Sequence, residues 1–478
     1  MLDIFNKIIN NSENNQQLMI VDQNYKYSDF FIDVKRNLEF LKSKVKEKET
    51  IFFCADYSKN FISMIFAAYE NKNIITFANP SSKKEEIMHI INDSSSSLIF
   101  LEASIDLNIN QKFNRYLNFN YCILKKRNKC IRPGDIFIIY TSGTTKKPKG
   151  AILTLKSISS NVEAIAKNFN LNSNSSTIIF SPPAYAMGIS QVLTFMSVFG
   201  KFILYNHGLK FPNEIIDLII KFKLNHLNLS LSAFRILLKY NVHKKNFNFV
   251  KVVSFGGMQV IQKDIDLYIK IFPKSNLINF YGCTENSPRI SHFKINKNKK
   301  YEICPVGKLL KGVKAKIKKF EKKTFYGNIS ISGSSLMRRY NKISLKSFRK
   351  NFYDTGDLGY FDKQRNLVII GRNDFSFRVG HEKLCPEEVE SFIKKKLNYD
   401  ELIICKKEHK ILNFIPVLLI NKKINFSSLQ SYLDKSIANY KIPKQLYFID
   451  KIPLTNYGKI DRNQAQKILC KLQLKENY

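Results

Sequence analysis

The chain has 478 residues, of which 44% are hydrophobic and 13% aromatic, and its formal net charge is +38. A chain of this length with this share of apolar residues is expected to fold into two or three domains, which excludes disorder over long stretches. The charge arises from 77 lysines and arginines against 39 acidic residues, so nucleic acid is the first partner to consider.

The distribution of the basic residues argues against that partner. Most of them are lysines, and they are spread along the chain instead of forming one arm or one helix. Recognition of bases favours arginine and clustered patches, so we interpret the charge as compositional drift and expect no nucleic-acid partner. A basic surface is still suited to attracting an anionic cosubstrate or an acidic carrier protein.

Targeting and membrane signals are absent from the sequence. The N-terminus lacks the basic and then apolar segments of a signal peptide. The most apolar late stretch, residues 411–420, contains Pro416 and is too short to span a bilayer. The eight cysteines are scattered, without the close spacing of a metal or redox motif. We therefore expect a soluble, cytoplasmic protein with reduced thiols.

A hydroxyl- and glycine-rich segment occupies residues 140–150, where the sequence reads Tyr-Thr-Ser-Gly-Thr-Thr-Lys-Lys-Pro-Lys-Gly. Glycine lets the backbone approach an anion closely, hydroxyl groups donate hydrogen bonds and lysine supplies charge, so the segment is suited to polyphosphate. Its order differs from that of a Walker A loop, and such a turn is also common on protein surfaces. The predicted phosphate-binding residues are Thr141, Ser142, Gly143, Thr144, Thr145 and Lys149, and Gly150 is the second glycine expected to allow the close approach.

The flanks of this segment predict its secondary structure. The run from Asp135 to Tyr140 is β-branched and aromatic and follows a Pro-Gly turn, which is typical of a buried strand. Downstream, apolar residues recur at helical spacing from Ile158 to Phe169. We therefore predict a strand, a loop and a helix, in that order.

Four further segments follow in the order and at the spacing of one family, the adenylate-forming enzymes. This family comprises acyl-CoA synthetases, stand-alone adenylation domains and luciferases, and its signature loop resembles the 140–150 segment. The other segments that resemble its motifs are residues 281–285, 354–357, 371–374 and 453–462. Weaker similarity over residues 27–80 extends the resemblance to nearly the whole chain.

The resemblance implies an α/β fold in two parts. Residues 1–372 would form a large N-terminal adenylation domain of layered mixed sheets and helices, and residues 373–478 a small, mobile α/β lid. Asp374 matches the hinge position, where a polar residue absorbs a backbone rotation between two lid orientations. One orientation would bring Lys459 to the nucleotide, and the other would present residues 378–385 for attack by a thiol.

The family's nucleotide site implies a role for each matching residue. Tyr281 would lie against the adenine, and Asp357 would accept hydrogen bonds from both ribose hydroxyls. Arg372 would reach the ribose or a phosphate. A strand-end aromatic, a turn aspartate and a surface arginine are the ordinary alternatives. Beyond the loop, the implied nucleotide-binding residues are Gly256, Gly257, Met258, Tyr281, Asp357 and Arg372.

The implied catalytic residues are Lys459, Glu285 and Thr284. A carboxylate has to attack the α-phosphorus of ATP, so the protein must neutralise two approaching anions while pyrophosphate leaves. Glu285, together with Thr145, would hold Mg²⁺, and Thr284 would donate to the α-phosphate. Lys459 would place its ammonium between the carboxylate and that phosphate. Because the chain is so rich in lysine, the alternative is that Lys459 is an ordinary solvated surface residue. The segments on both sides of Lys459 match the family motif, which argues against that alternative.

Among the departures from the family pattern, two bear on the chemistry. The glycine that usually follows the two threonines of the loop is Lys146 here, so this turn needs another backbone geometry. The glycine that lines the thiol tunnel in family members falls at His381, with Gly380 one position early. The thiol half-reaction is therefore less well supported than adenylation.

The segment after the loop, residues 181–188, gives the substrate class. Family members that bind α-amino acids place an aspartate there, and this chain has no acidic residue in the segment, which disfavours an amino-acid substrate. Tyr185 falls where acyl- and aryl-activating members carry a histidine or another aromatic residue. With Met187 and Phe195 nearby, we expect a fatty, aryl or other apolar acid.

The resulting hypothesis is an enzyme that uses ATP and Mg²⁺ to convert a carboxylic acid to an acyl-adenylate and then to a thioester of CoA. One alternative is a stand-alone adenylation enzyme that loads the phosphopantetheine of an acidic carrier protein, since the C-terminal lysine motif also resembles that of such enzymes. A third, from another class, is a basic nucleic-acid-binding protein that retains the scaffold without catalysis. The acid, the oligomeric state and the pathway do not follow from the sequence.

Overall fold

The structure is a computed structural model. It describes residues 3–10, 17–20, 23–107, 109, 111–124, 131–141, 148–240, 242–257, 259–319, 325–342, 348–349, 351–379, 382–409, 412–455 and 460–476. No helix within these ranges combines the length and the apolar character that a bilayer crossing requires.

The helices follow the apolar periodicity of the sequence, and several of them begin at a residue whose side chain satisfies a free backbone amide. Thr154, for example, accepts a hydrogen bond from the Ser157 amide at 3.1 Å, and the helix that starts there buries Ile158, Val162 and Ile165. The described helices are α1 (Ile4–Ile9), α2 (Tyr27–Lys44), α3 (Lys59–Glu70), α4 (Lys84–Ser94), α5 (Leu155–Asn168), α6 (Ala186–Met196), α7 (Pro212–Lys221), α8 (Leu231–Leu238), α9 (Gln262–Ile271), α10 (Pro386–Leu397), α11 (Phe426–Asp434) and α12 (Arg462–Glu476).

The strands are short, and the central ones are rich in β-branched and aromatic residues, as buried strands are. They are β1 (Gln17–Ile20), β2 (Gln23–Lys26), β3 (Thr50–Cys54), β4 (Ile74–Ala78), β5 (Leu98–Glu102), β6 (Asn114–Tyr116), β7 (Phe119–Ile123), β8 (Asp135–Thr141), β9 (Lys149–Thr154), β10 (Ser176–Ile179), β11 (Lys201–Leu204), β12 (His226–Asn228), β13 (Val252–Gly256), β14 (Asn276–Gly282), β15 (Arg289–Lys294), β16 (Lys308–Leu309), β17 (Val313–Lys319), β18 (Gly327–Gly333), β19 (Arg339–Tyr340), β20 (Phe348–Arg349), β21 (Phe352–Phe361), β22 (Leu367–Arg372), β23 (Phe377–Val379), β24 (Glu382–Leu384), β25 (Leu402–His409), β26 (Asn413–Ile420) and β27 (Gln445–Phe448).

The described strands of the N-terminal part form two mixed sheets and one antiparallel sheet, besides two strand pairs. One sheet has the order β19-β9-β8-β4-β3-β5-β7-β6, a second has β12-β13-β14-β15-β16, and a third has β17-β18-β21-β20 with β22 beside β21. Helix α5 contacts β9 and α6, and α6 contacts the β10–β11 pair, so these helices form a layer between sheets. This agrees with the predicted α/β class of layered mixed sheets and helices.

The predicted order of strand, loop and helix around residues 140–150 was wrong in one respect. The strand extends over Asp135–Thr141 as expected, but a second strand, Lys149–Thr154, follows the loop and pairs antiparallel with it before α5 begins. The run Ala-Ile-Leu-Thr after Gly150 supplies the apolar, β-branched residues that this buried partner strand needs. The loop therefore closes a hairpin.

The C-terminal part has its own sheet and core. Its sheet has the order β24-β23-β26-β25, with β27 parallel to β26. Residues from Phe377 to Leu472 form two buried clusters that include no residue of the N-terminal sheets. A small cluster joins the two parts, in which Cys385 packs with Tyr326, Leu358 and Ile370.

Candidate active site

The ends of β8 and β9 fix where the hydroxyl-rich loop begins and ends. Thr141 pairs with Lys149, and the Thr141 hydroxyl donates to the Lys149 carbonyl at 3.4 Å. A Cβ on Gly150 would lie 2.6 Å from Ile138 Cγ2, so glycine is needed here for close strand packing, and its predicted approach to an anion stays a prediction. The predicted ligands Ser142, Gly143, Thr144 and Thr145, and the departure at Lys146, lie outside the described residues.

Strands β13 and β14 are parallel neighbours, so their carboxyl ends meet at one edge of the sheet, where open α/β sheets bind ligands. Gly256 ends β13, and a Cβ there would lie 2.4 Å from the Phe280 carbonyl oxygen. Gly257 follows with a φ of +83°, a conformation that favours glycine. Tyr281 lies near the end of β14, and Met258 lies outside the described residues.

Three of the predicted nucleotide-binding side chains lie together beside this edge. The Tyr281 hydroxyl donates to Asp357 Oδ2, and Arg372 Nη1 donates to Asp357 Oδ1 at 3.0 Å. Asp357 pairs with Arg372 because β21 and β22 are antiparallel neighbours. A carboxylate can accept hydrogen bonds from both hydroxyls of a ribose, which is the role that we predict for Asp357.

Glu285 lies on a single turn of 3₁₀-helix, Thr284–Asn286, directly after β14. Its carboxylate is buried, and Oε1 accepts a hydrogen bond from the Tyr340 hydroxyl at 2.5 Å. The Lys149 ammonium lies 5.9 Å from the centre of the Tyr340 ring. Tyr340 thus links the end of the phosphate-loop hairpin to Glu285, and it is itself 2.9 Å from the Tyr353 hydroxyl.

Tyr340 and Tyr353 are site residues that the sequence motifs did not reveal. Tyr340 lies in β19, a two-residue strand that pairs with β9 beside Ala151. Burial and the nearby Glu285 carboxylate raise the pKa of both phenols well above the ordinary value. Burial and Asp357 do the same for the pKa of Tyr281. All three phenols therefore stay protonated and act as donors at neutral pH.

The metal expected with ATP fits this arrangement in one respect. Among the described residues there is no group of three or more His, Cys, Asp or Glu side chains that would form an all-protein metal site. Mg²⁺ commonly takes only one or two carboxylates and completes its shell with phosphate oxygens and water. Glu285 is a single buried carboxylate of that kind, whereas the second predicted ligand, Thr145, is not described.

The residues that we predict to line the substrate pocket lie at helix α6. Tyr185 immediately precedes the helix and is half-buried, and Met187 and Phe195 line a cavity of about 30 Å³. Arg289, which sequence reasoning passed over, lines the same cavity. The sequence feature that could have revealed Arg289 is its place between Pro288 and Ile290, four positions after Glu285.

For the predicted hinge and the predicted catalytic lysine, the structure describes the neighbouring backbone and not the side chains. Asp374 lies in a turn of 3₁₀-helix, Asn373–Phe375, between β22 and β23, and its side chain is not described. Lys459 and His381 lie outside the described residues. The ends of the lysine segment meet in a bridge between Leu454 and Ile460.

Comparisons with known proteins extend over the whole chain. Bacitracin synthase 2 of Bacillus licheniformis is 25% identical over 494 aligned positions, which cover 96% of this chain but 19% of the synthase. A 2-succinylbenzoate–CoA ligase of Listeria monocytogenes is 27% identical over 335 residues, 69% of either chain. The chain thus spans about a fifth of the length of bacitracin synthase 2.

Solved structures share the fold. The o-succinylbenzoate CoA synthetase MenE of Bacillus subtilis, in complex with the acyl-adenylate OSB-AMP, superimposes with a TM-score of 0.80 at 19% identity over 98% of both chains. The family model described as AMP-binding enzyme matches residues 9–341, about two thirds of the sequence. The chain therefore belongs to the AMP-binding enzymes, within the adenylate-forming superfamily.

Proposed function

We propose that this protein uses ATP to activate a carboxylic acid as an acyl-adenylate, with release of pyrophosphate, and then transfers the acyl group to a thiol. The observation that carries the proposal is that two sets of side chains lie together at one edge of a sheet. Tyr281, Asp357 and Arg372 form a hydrogen-bonded set, and Lys149 and Glu285 meet across Tyr340. Residues of these types at such an edge suit a nucleoside and its phosphates, respectively.

The residues divide the work of holding ATP. Tyr281 offers an aromatic face to the base, Asp357 accepts from the ribose, and Arg372 keeps that carboxylate oriented. The hydroxyls of the 141–145 loop and Lys149 would bind the outgoing phosphates, and Thr284 would donate to the α-phosphate. Glu285 would hold Mg²⁺, which neutralises phosphate charge when bound.

We further propose that residues 1–372 form the adenylation domain and residues 373–478 the lid. The separate buried clusters on the two sides of this boundary support it. Lys459 would enter the site in one lid orientation and leave it in the other, with Asp374 as the hinge. Replacing Asp374 with proline is expected to slow at least one half-reaction in single-turnover assays, and wild-type rates for both would contradict the hinge assignment.

CoA is the acceptor that we propose, and one relative is named as a CoA ligase. An acidic carrier protein is the second candidate, because a net charge of +38 would attract such a partner. The seven cysteines within the described residues are all free, which fits the cytoplasmic location that we propose.

The test is pyrophosphate release measured over a panel of fatty, aryl and other carboxylic acids, with and without Mg²⁺. We expect release that requires both an acid and the metal. CoA and an acidic carrier protein are then added separately to the best acid, and thioester on one of them identifies the acceptor. No pyrophosphate with any acid, combined with no measurable binding of ATP, would overturn the proposal and favour a non-catalytic scaffold.

A further inference from the structure

The cavity beside α6 has apolar walls and one charged residue. Ile165, Phe169, Met187 and Phe195 supply much of the lining, and Arg289 is the charged member among the described residues that line it. Burial lowers the pKa of His226, which also lines the cavity, to about 4, so that imidazole is neutral at pH 7. The cavity therefore carries a net positive charge.

Arg289 is buried and forms no ion pair with an acidic residue in the part of the chain that the structure describes. The residue is 4% exposed, and its Nε has no hydrogen-bond partner among the described residues. Its guanidinium carbon lies 3.5 Å from the centre of the Phe280 ring and 5.2 Å from that of Phe169, and Nη2 lies 3.9 Å from the Met187 sulfur. Stacking on an aromatic face offsets only part of the desolvation of a buried cation. An unpaired guanidinium in such a place indicates an anionic ligand.

The backbone of Arg289 is held in place on both sides. Its amide donates to the Asn161 side chain at 3.1 Å, and its carbonyl accepts from Asn161 Nδ2 and from Asn286 Nδ2, each at 2.7 Å. Asn161 and Asn286 are themselves fully buried. The guanidinium therefore projects from a fixed point, as a specificity-determining group must.

We propose that Arg289 binds a second carboxylate, at the far end of the acid that the enzyme activates. The preferred substrate is then a short dicarboxylic acid and not the purely apolar acid expected from the sequence. A bidentate pair between guanidinium and carboxylate satisfies the donors of Arg289, and the apolar walls contact the carbon chain between the two carboxylates. This inference rests on the proposed function, because it concerns the substrate of the same site.

The size of the cavity sets the length of that acid. About 30 Å³ is enough for about one carboxylate group or about two water molecules, so the cavity receives only the terminal group. A long chain would have to displace Met187 or Phe195. Ordered water around Arg289 is the competing explanation, and it predicts no preference for an acid with two charges.

The experiment compares matched acids that differ only at the far end. Succinate, glutarate and adipate are each paired with their neutral half-amides and with the monocarboxylate of equal length, and kcat/KM is measured from pyrophosphate release. We expect at least one diacid to exceed its half-amide by about 100-fold, in line with charge-assisted pairing. The Arg289→Met protein should lose this preference, and Arg289→Lys should retain part of it. Equal rates for every pair would overturn the proposal, as would a preference that survives in Arg289→Met.

Two further measurements keep the result decisive. The Met187→Glu protein places a competing carboxylate beside Arg289, so it should lose the preference for the diacid even if Arg289→Met does not fold. Calorimetric titration of the wild-type chain with diacid and with ATP separates the two proposals. Diacid binding that depends on Arg289 supports this inference even without turnover. ATP-dependent activation of monoacids with no diacid binding supports the general function and overturns the inference.

Discussion

At the scale of single residues, the motifs predicted those site residues that lie within short segments of recognisable spacing. Tyr281, Asp357 and Arg372 were predicted separately, and the structure brings them into one hydrogen-bonded set. Tyr340 and Arg289 were missed, because the role that we propose for each depends on contacts with residues that are distant in sequence. Whether these residues hold a nucleotide or a substrate stays a prediction.

Tyr340 provides a test of how Glu285 is positioned. The Tyr340→Phe protein loses the hydrogen bond to Glu285 Oε1, so the carboxylate is less firmly oriented toward the metal. We expect KM for MgATP to rise and kcat/KM to fall by about tenfold, the effect of one charge-assisted hydrogen bond. Steady-state kinetics at several Mg²⁺ concentrations measure it.

The matched control is Tyr268→Phe, which removes a buried hydroxyl that donates to the Leu229 carbonyl at 3.1 Å in a separate core. This variant is expected to lose stability without a change in the Mg²⁺ dependence. The same kinetic change in both variants would mean that Tyr340 acts only through folding.

His226 provides a pH test of stability. Its pKa is about 4 in the folded protein, because of burial first and then of Lys251, against about 6.5 when unfolded. The unfolded state therefore takes up the proton first as the pH falls, and the stability associated with neutral His226 is lost between about pH 6.5 and about pH 4. Across this pH range the free energy of unfolding of His226→Gln should therefore fall by up to about 3 kcal/mol less than that of the wild type. Urea denaturation at several pH values measures the difference, and parallel curves would contradict the assignment.

At the scale of elements, the hairpin at the phosphate loop shows where periodicity reaches its limit. The strand Asp135–Thr141 and the helix Leu155–Asn168 agreed with the patterns that predicted them. The strand between them was missed because a short apolar run beside glycine has no period of its own, and pairing with β8 decides its conformation. Tertiary contact, not local propensity, forms this element.

The segment that carries Lys459 is anchored through α12. Arg462 begins this helix, and its guanidinium donates to both carboxylate oxygens of Glu390 at 2.8 and 2.7 Å and lies 3.3 Å from Glu387. The Asp461 amide donates to the Pro453 carbonyl at 2.8 Å. These contacts fix the base of the segment against α10.

Breaking this anchor is expected to loosen the proposed lid, residues 373–478. Arg462→Met leaves two buried carboxylates without their cation, which should destabilise the lid by about 3 kcal/mol. Hydrogen exchange in α10 and α12 measures the loss, and adenylation should slow with it. The control is Lys395→Met, which breaks an exposed pair with Glu302 and is expected to have an effect below about 1 kcal/mol. Equal protection of α10 and α12 in wild type and Arg462→Met would contradict the role of this anchor.

At the scale of the whole molecule, the family motifs predicted the fold class, but the sequence does not determine how the lid is held. Its described contacts with the N-terminal part include two partly exposed ion pairs, Arg235 with Asp400 and Lys395 with Glu302. Such pairs contribute little to stability, and they depend on side chains that no motif contains. These ion pairs would oppose the proposed alternation of lid orientations only weakly, whereas the buried cluster of Cys385 with Tyr326, Leu358 and Ile370 would have to separate.

The most direct test follows the oxygen atoms of the acid through a single turnover. An acid whose carboxylate carries heavy oxygen is mixed with ATP, Mg²⁺, CoA and excess enzyme, and the AMP released on transfer of the acyl group to the CoA thiol is analysed by mass spectrometry. If the carboxylate attacks the α-phosphorus, one labelled oxygen appears in AMP, and Lys459→Ala should abolish this label while still converting a supplied acyl-adenylate. Label in inorganic phosphate, or unlabelled AMP formed at the wild-type rate, would contradict an acyl-adenylate mechanism.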